Sequence, residues 1–146
     1  MTDLQKAKKL LAENDYTCVL CKDEKTRTST QRGVRPLVEW LESDEDFEGF
    51  SAADKVVGRG AAFLYVLLGV NAVYSHVISY AALEVLRAYN ITVEYNVAVE
   101  HISNRRGDGI CPFESAVMDI TDVGEAYIAI KQKMREIGIA SRGENK

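Results

Sequence analysis

The stretch Ser51–Leu68, SAADKVVGRGAAFLYVLL, constrains this chain more than any other. Downstream of Arg59 it is apolar at every helical position, and a helix without a polar face has to be buried all round. A chain that accommodates it must enclose it between layers. With 146 residues there is enough material, since a domain near that size buries roughly 70% of the surface its unfolded form exposes. The whole segment reads as one helix. Ser51 with Asp54 three residues on forms a capping box with Asp in place of Glu, and Gly69 stands at the C-cap position. Gly58 and Gly60 each cost up to ~1 kcal/mol against alanine in a helix interior. Close backbone packing against a sheet is the simplest reason to keep them.

The flanking segments supply that sheet. Residues 3–13 place Leu4, Ala7, Leu10 and Leu11 on one helical face, with Asn14-Asp15 as a stop. Tyr16–Cys21 is rich in β-formers, Lys22-Asp23-Glu24-Lys25 reads as a turn, and Thr26–Thr30 is β-branched and polar, which together predict a β-hairpin with one exposed strand. Pro36 and Pro112 each sit where a helix begins, the second predicting a helix over Phe113–Ile120. Ala72–Ile78 predicts a strand, Ser79 caps a helix running to Tyr89, and Ile91–Tyr95 and Val97–Ile102 predict two more strands. Strand, helix, strand with short links implies a parallel crossover. Asn104–Gly109 is a polar loop, Asp122–Ile137 an amphipathic helix ended by Gly138, and Ser141–Lys146 a disordered tail. The expectation is a single three-layer α/β domain over residues 1–140, with a mixed sheet of about five strands and the hairpin at its start.

Charge and residue inventory exclude several function classes. Twenty-two acids against eighteen bases give a net charge of −4, which argues against nucleic acid or an anionic membrane as partner, because both need a basic face. The longest apolar run, Ala61–Leu68, is far short of the ~20 residues of a membrane span. With an odd count of three cysteines, no disulfide framework is expected, and a reducing, cytoplasmic location fits. Neither a glycine-rich phosphate loop nor a G-x-S-x-G elbow is present, so a P-loop NTPase, a Rossmann dehydrogenase and an α/β-hydrolase are disfavoured.

The chemistry-bearing residues are few. Cys18 and Cys21 have the spacing of half a zinc site, but in a strand residues three apart point to opposite faces, so one should face each layer. His76 and His101 have no second ligand at helical or strand spacing and read as ordinary strand histidines. Cys111 precedes Pro112 at a helix start, where the dipole lowers a thiol pKa. It is either an activated nucleophile or a poor N-cap in a tight loop, and Glu114, three positions on, is placed to return a hydrogen bond to that cap. Asp54-Lys55 falls in the first turn of the buried helix. Either Asp54 complements the dipole while Lys55 reaches solvent, or the lysine marks a bound anion or a carboxylate partner. Arg105-Arg106 is either a solvated loop pair or a grip for phosphate or carboxylate.

Through Tyr16–Leu20, Arg32–Leu37, Ser51–Gly58, Tyr74–Ser79 and Asn104–Glu114, and over about residues 3–137, the chain resembles an uncharacterised prokaryotic domain-of-unknown-function family placed in the cytidine-deaminase-like superfamily. It implies the three-layer α-β-α cytidine-deaminase-like fold. It also implies a pocket at which the helices starting at Ser51 and Ser79 converge, lined by Asp54, Lys55, Ser75 and Ser79, with the loop from Arg105 to Glu114 closing over it. The superfamily's zinc chemistry needs H-x-E and P-C-x-x-C. Here Ala53-Asp54-Lys55 and the region of Val77–Ala81 stand in those places, so no metal and no cofactor are expected.

The resulting expectation is a zinc-free protein that binds a small anionic or nucleotide-like metabolite. As an enzyme it would use Cys111 as nucleophile, Asp54 or Glu114 as acid and base, and Lys55 to pair with substrate charge. Ser51, Ser75, Ser79, Asn104, Arg105 and Asp108 would line the ligand site. The alternative is a catalytically silent binding or regulatory module, and a third reading is a zinc deaminase with displaced ligands. A homodimer through exposed helices is implied by the resemblance alone.

Overall fold

A computed structural model of the chain describes residues 1–104 and 106–144. The elements follow in the order α1 (Asp3–Glu13), β1 (Cys18–Lys22), β2 (Lys25–Ser29), α2 (Arg35–Glu42), β3 (Ser51–Val57), α3 (Arg59–Leu68), β4 (Ala72–Ser79), α4 (Tyr80–Ala88), β5 (Thr92–Val99), α5 (Pro112–Ala116) and α6 (Val123–Glu144). The strands form one mixed sheet in the order β2-β1-β3-β4-β5. β1 runs antiparallel to β2 and β3, whereas β3, β4 and β5 are mutually parallel. β1 and β2 make the expected hairpin through Asp23-Glu24, with Asp23 in the left-handed region at φ 54.

Alternation along the strands builds two cores. Cys18 and Leu20 of β1, with Ala52 of β3 and Val73 of β4, face the large cluster formed with α2, α3, α4 and α6. Val19 and Cys21 of β1, with Ala53 and Tyr74, face Ala7 and Leu11 of α1 on the other side. The two cysteines therefore lie on opposite faces, as their spacing requires. α1 is opened by a full capping box, Thr2 with Gln5.

The segment from Ser51 to Leu68 is not one helix. Its first seven residues are β3, a strand paired on both edges, and the helix starts only at Arg59 behind an extended Gly58 at φ −95, ψ −179. Ser51 and Asp54 thus form no capping box. The alanines that favour helix locally are overruled by two ladders that the local sequence cannot announce. Ala52 and Ala53 are both fully buried, one under each core. α3 itself behaves as read: it sits within the large core and ends at Gly69, φ 80, whose amide reaches Tyr65 and Val66 carbonyls.

Three boundaries also move. The two strands expected over Ile91–Ile102 are the single strand β5. The helix after Pro112 stops at Ala116 instead of Ile120. α6 runs through Gly138 to Glu144, so it overlaps the expected disordered tail, and residues 145–146 lie outside the described residues. No helix of the described residues is long and apolar enough to cross a membrane.

Candidate functional site

β3 and β4 are parallel neighbours, and each leads straight into its helix, β3 through Gly58 alone and β4 directly at Ser79. Short links of this kind set the starts of α3 and α4 side by side at one end of the sheet. Both starts bond to one atom. Oε2 of Glu114, 3% exposed, accepts from the Arg59 amide at 2.7 Å and from the Ser79 hydroxyl at 2.7 Å. Oε1 of the same carboxylate accepts from the Ile102 amide at 2.8 Å. Ser79 also caps α4, taking the Ala82 amide at 3.1 Å. A helix N-terminus is a natural anion position, and here two share the chain's own carboxylate.

This arrangement explains the glycines. A Cβ at Gly58 would stand 2.8 Å from Glu114 Oε2 and 3.2 Å from Ile102, and one at Gly60 would stand 3.0 Å from the Phe113 carbonyl. Close approach is indeed the reason, but to the α5 segment and not to the sheet. Between them Arg59 fastens the same segment from the other side. It is 8% exposed and donates from Nε to the Val117 carbonyl at 3.0 Å and from Nη2 to the Ile120 carbonyl at 2.6 Å. Those carbonyls end α5 and the turn after it, where cationic donors are favoured. Glu114 does not bond the Cys111 cap. Its partners are 55, 35 and 12 residues away in the chain.

Asp54 belongs to a different cluster. It lies in β3, with Cys18 of β1 and Ser75 of β4 as its Cα partners. Its side chain takes the Tyr65 hydroxyl of α3 at 2.7 Å and, more weakly, the Val56 amide at 3.3 Å. The Cys18 sulfur stands 3.0 Å from the same hydroxyl. Burial is the main cause that pushes the Asp54 carboxyl up to about 6, and burial likewise raises Cys18 and Tyr65 well above their ordinary values. Lys55 is exposed, and its backbone amide bonds the Thr17 carbonyl, so it neither opposes a helix dipole nor pairs with Asp54. Ser75 is fully buried and donates to the Val77 carbonyl at 2.6 Å.

The remaining candidates spread out. Ser51 stands at the start of β3, the far end from Gly58, and donates at 3.5 Å to Asn71. Asn104 and Asp108 bond each other across their loop, which Ser103 and Ile110 close by a β-bridge. Arg105 lies outside the described residues, and Arg106 is exposed. Cys111 caps α5 through its carbonyl, which accepts from the Ser115 amide at 3.0 Å, its own amide donates to the Ile102 carbonyl at 2.7 Å, and its half-buried thiol makes no capping bond. His76 Nδ1 meets the Tyr74 hydroxyl at 3.0 Å and the Asn96 amide at 3.1 Å. His101 falls just past β5, 3.9 Å from Glu100.

Of the residues expected to form a site, then, Ser79 meets Glu114, Asn104 meets Asp108, and Asp54 meets none of the rest beyond its chain neighbour Lys55 and its strand neighbour Ser75. Sequence reasoning missed Arg59 and Tyr65. Both had a signal: a guanidinium and a phenol inside an apolar helix need buried acceptors.

A family model described as TM1506: Domain of unknown function (DUF1893) matches residues 6–134. Among solved structures, the chain is similar to the crystal structure of a DUF1893 family protein, TM1506, from Thermotoga maritima. Identity is 24%, the match covers 93% of this chain and 91% of that one, and the TM-score is 0.80. Likeness at that identity speaks for the fold alone. No curated protein matches the chain.

Proposed function

The chain belongs to the DUF1893 family, and from that premise we propose that it is a catalytically silent binding module of the cytidine-deaminase-like fold, which takes a small anionic or nucleotide-like metabolite where α3 and α4 begin. The hairpin-first mixed sheet with its two consecutive strand-to-helix crossovers supports the fold reading. The observation that carries the functional one is Glu114 Oε2, which both helix starts bond at once. Donors already aimed at one oxygen constitute an anion position, and Glu114 holds it in the absence of ligand.

The residues at this position do not fit a zinc ion. The helix starts carry Gly58-Arg59-Gly60 and Ser79-Tyr80-Ala81, and the one carboxylate there is engaged by three hydrogen-bond donors. Zinc needs several thiolate, imidazole or carboxylate ligands with lone pairs to give. Catalysis is disfavoured on the same footing, because Cys111, Asp54, Lys55 and Glu114 share no hydrogen bond or ion pair among themselves.

Titration of the purified protein and of Glu114→Gln with a nucleoside monophosphate, followed by calorimetry and by the amide signals of Arg59 and Ile102, tests the reading. Wild type should bind with both amides shifting, and the variant, with no charge competing for the position, should bind more tightly. Binding that leaves both amides unmoved, or no binding by either protein, sinks it. Turnover of the ligand that depends on Cys111 would return the enzyme reading, and stoichiometric zinc in the purified protein the deaminase one.

A further inference from the structure

Cys18, Tyr65 and Asp54 come from β1, α3 and β3 and form an unbroken line of polar atoms inside the core. Each of the two links joins groups that can reverse roles. A thiol and a phenol both donate and accept, and a carboxyl accepts when ionised and donates when protonated. We propose that this line is a proton-sensitive joint between sheet and helix, whose hydrogen bonds all reverse direction when Asp54 takes up a proton.

With Asp54 ionised, the Cys18 S–H donates to the Tyr65 oxygen and the Tyr65 O–H donates to Asp54 Oδ2. When a proton from water binds Oδ2, the carboxyl O–H donates to the Tyr65 oxygen and the Tyr65 O–H turns to the Cys18 sulfur, leaving the S–H without an acceptor. No heavy atom has to leave its place, and no bond between heavy atoms is made or broken. Access for the proton is short, since Asp54 is 8% exposed while Cys18 is 2% and Tyr65 0%.

The surroundings leave Asp54 to respond alone. β1 presents Cys18, α3 presents Tyr65, β4 presents Ser75, whose hydroxyl is committed to the Val77 carbonyl, and β3 itself contributes the Val56 amide. Lys55, next in the strand, is exposed. The charged side chain of α3, Arg59, is committed to the Val117 and Ile120 carbonyls. No ion pair among the described residues includes Asp54. With no cation to hold its charge, the carboxyl, pushed up to about 6 by burial, changes state near neutrality instead of in acid.

The test follows two atoms through one titration of the full chain. The Asp54 carboxyl carbon is read by NMR, assigned by its loss in Asp54→Asn. The Cys18 S–H stretch is read by infrared difference against Cys18→Ala, in a window free of other protein bands. Both should move in one transition near pH 6, the S–H band passing to its non-donating position as Asp54 protonates. In Tyr65→Phe the carboxyl should titrate still higher while the S–H band stays constant. The proposal is overturned by an S–H band that ignores the Asp54 transition, by an Asp54 midpoint in the ordinary range near ~4, or by an S–H band that still follows Asp54 without the phenol. The wild-type pair of titrations decides between the first two outcomes even should the phenylalanine variant fail to fold.

Discussion

Two carboxylates are buried in this molecule to nearly the same extent, Asp54 at 8% exposure and Glu114 at 3%, yet they are held in opposite ways. Glu114 receives two backbone amides and a hydroxyl, all within 2.8 Å, the Arg59 amide and the Ser79 hydroxyl from the starts of two helices and the Ile102 amide from the segment after β5. Asp54 receives one phenol at 2.7 Å and one amide at 3.3 Å, inside a strand where no helix start helps it. Burial alone does not decide what a carboxylate does. The supply of donors decides: the first is a fastener that many parts of the chain depend on, the second a group free to change state. Each of the following measurements bears on that contrast.

The largest effect should come from Glu114→Ala. It strips the acceptor from the Arg59 and Ile102 amides and the Ser79 hydroxyl, and a buried donor left unpaired costs about 1–3 kcal/mol. We expect about 4 kcal/mol lost in urea denaturation, with Ser79 recovering part by rotation. Added acetate should restore part of it saturably, by refilling the anion position. A loss below about 0.5 kcal/mol, the range of ordinary surface changes, would mean that Glu114 fastens nothing.

Asp54 should next reveal itself through pH. Its folded-state value, about 6, lies above the unfolded 3.8. Below 3.8 both states are protonated and the site contributes no penalty. As pH rises from there to about 6 the unfolded chain ionises first, so stability falls, by about 3 kcal/mol in all at 1.36 kcal/mol per unit. Above that the loss is constant. The difference between wild type and Asp54→Asn in stability against pH isolates this slope, and a flat difference across the window contradicts the contrast between the two acids.

Gly58→Ala comes third, at about 2 kcal/mol, in the range of overpacking in a tight site. Its Cβ would meet the Glu114 oxygen at 2.8 Å. The sharper reading is the double variant: with Glu114 already alanine, the cost at Gly58 should largely vanish, since residues in contact couple. A cost that persists would assign the glycine to backbone conformation, although its φ of −95 is open to any residue.

What the sequence revealed of all this follows locality. Ser79, Gly69, the hairpin turn and the opposite facing of Cys18 and Cys21 were legible, because each is settled by a few neighbouring residues. The strand β3 was not, because its two ladders come from β1 and β4 and outweigh the helical preference of Ala52 and Ala53. Glu114 stands beside a helix start in the sequence, but the starts it serves are those of α3 and α4. Gly58 and Gly60 signal close contact locally, while the partner, the α5 segment in place of the sheet, is set by the distant chain. A buried arginine and tyrosine in the apolar helix were the remaining clue. Both are polar residues that would not be kept there unless something distant accepted their hydrogens.

Tyr65→Phe should have the smallest effect of the series and the most specific one. It removes a single hydroxyl from a fully buried ring while leaving the packing in place, so the loss at neutral pH should be about 1.5 kcal/mol, the scale of a hydrogen bond to a charged group. That loss should itself depend on pH. The phenol lowers the Asp54 value by bonding its ionised form, so its removal raises the carboxyl further and extends the window in which stability declines toward higher pH. In acid, where Asp54 is protonated in both proteins, the difference between them should shrink. A loss that stays the same at every pH would remove the reading of Asp54 as a group that changes state.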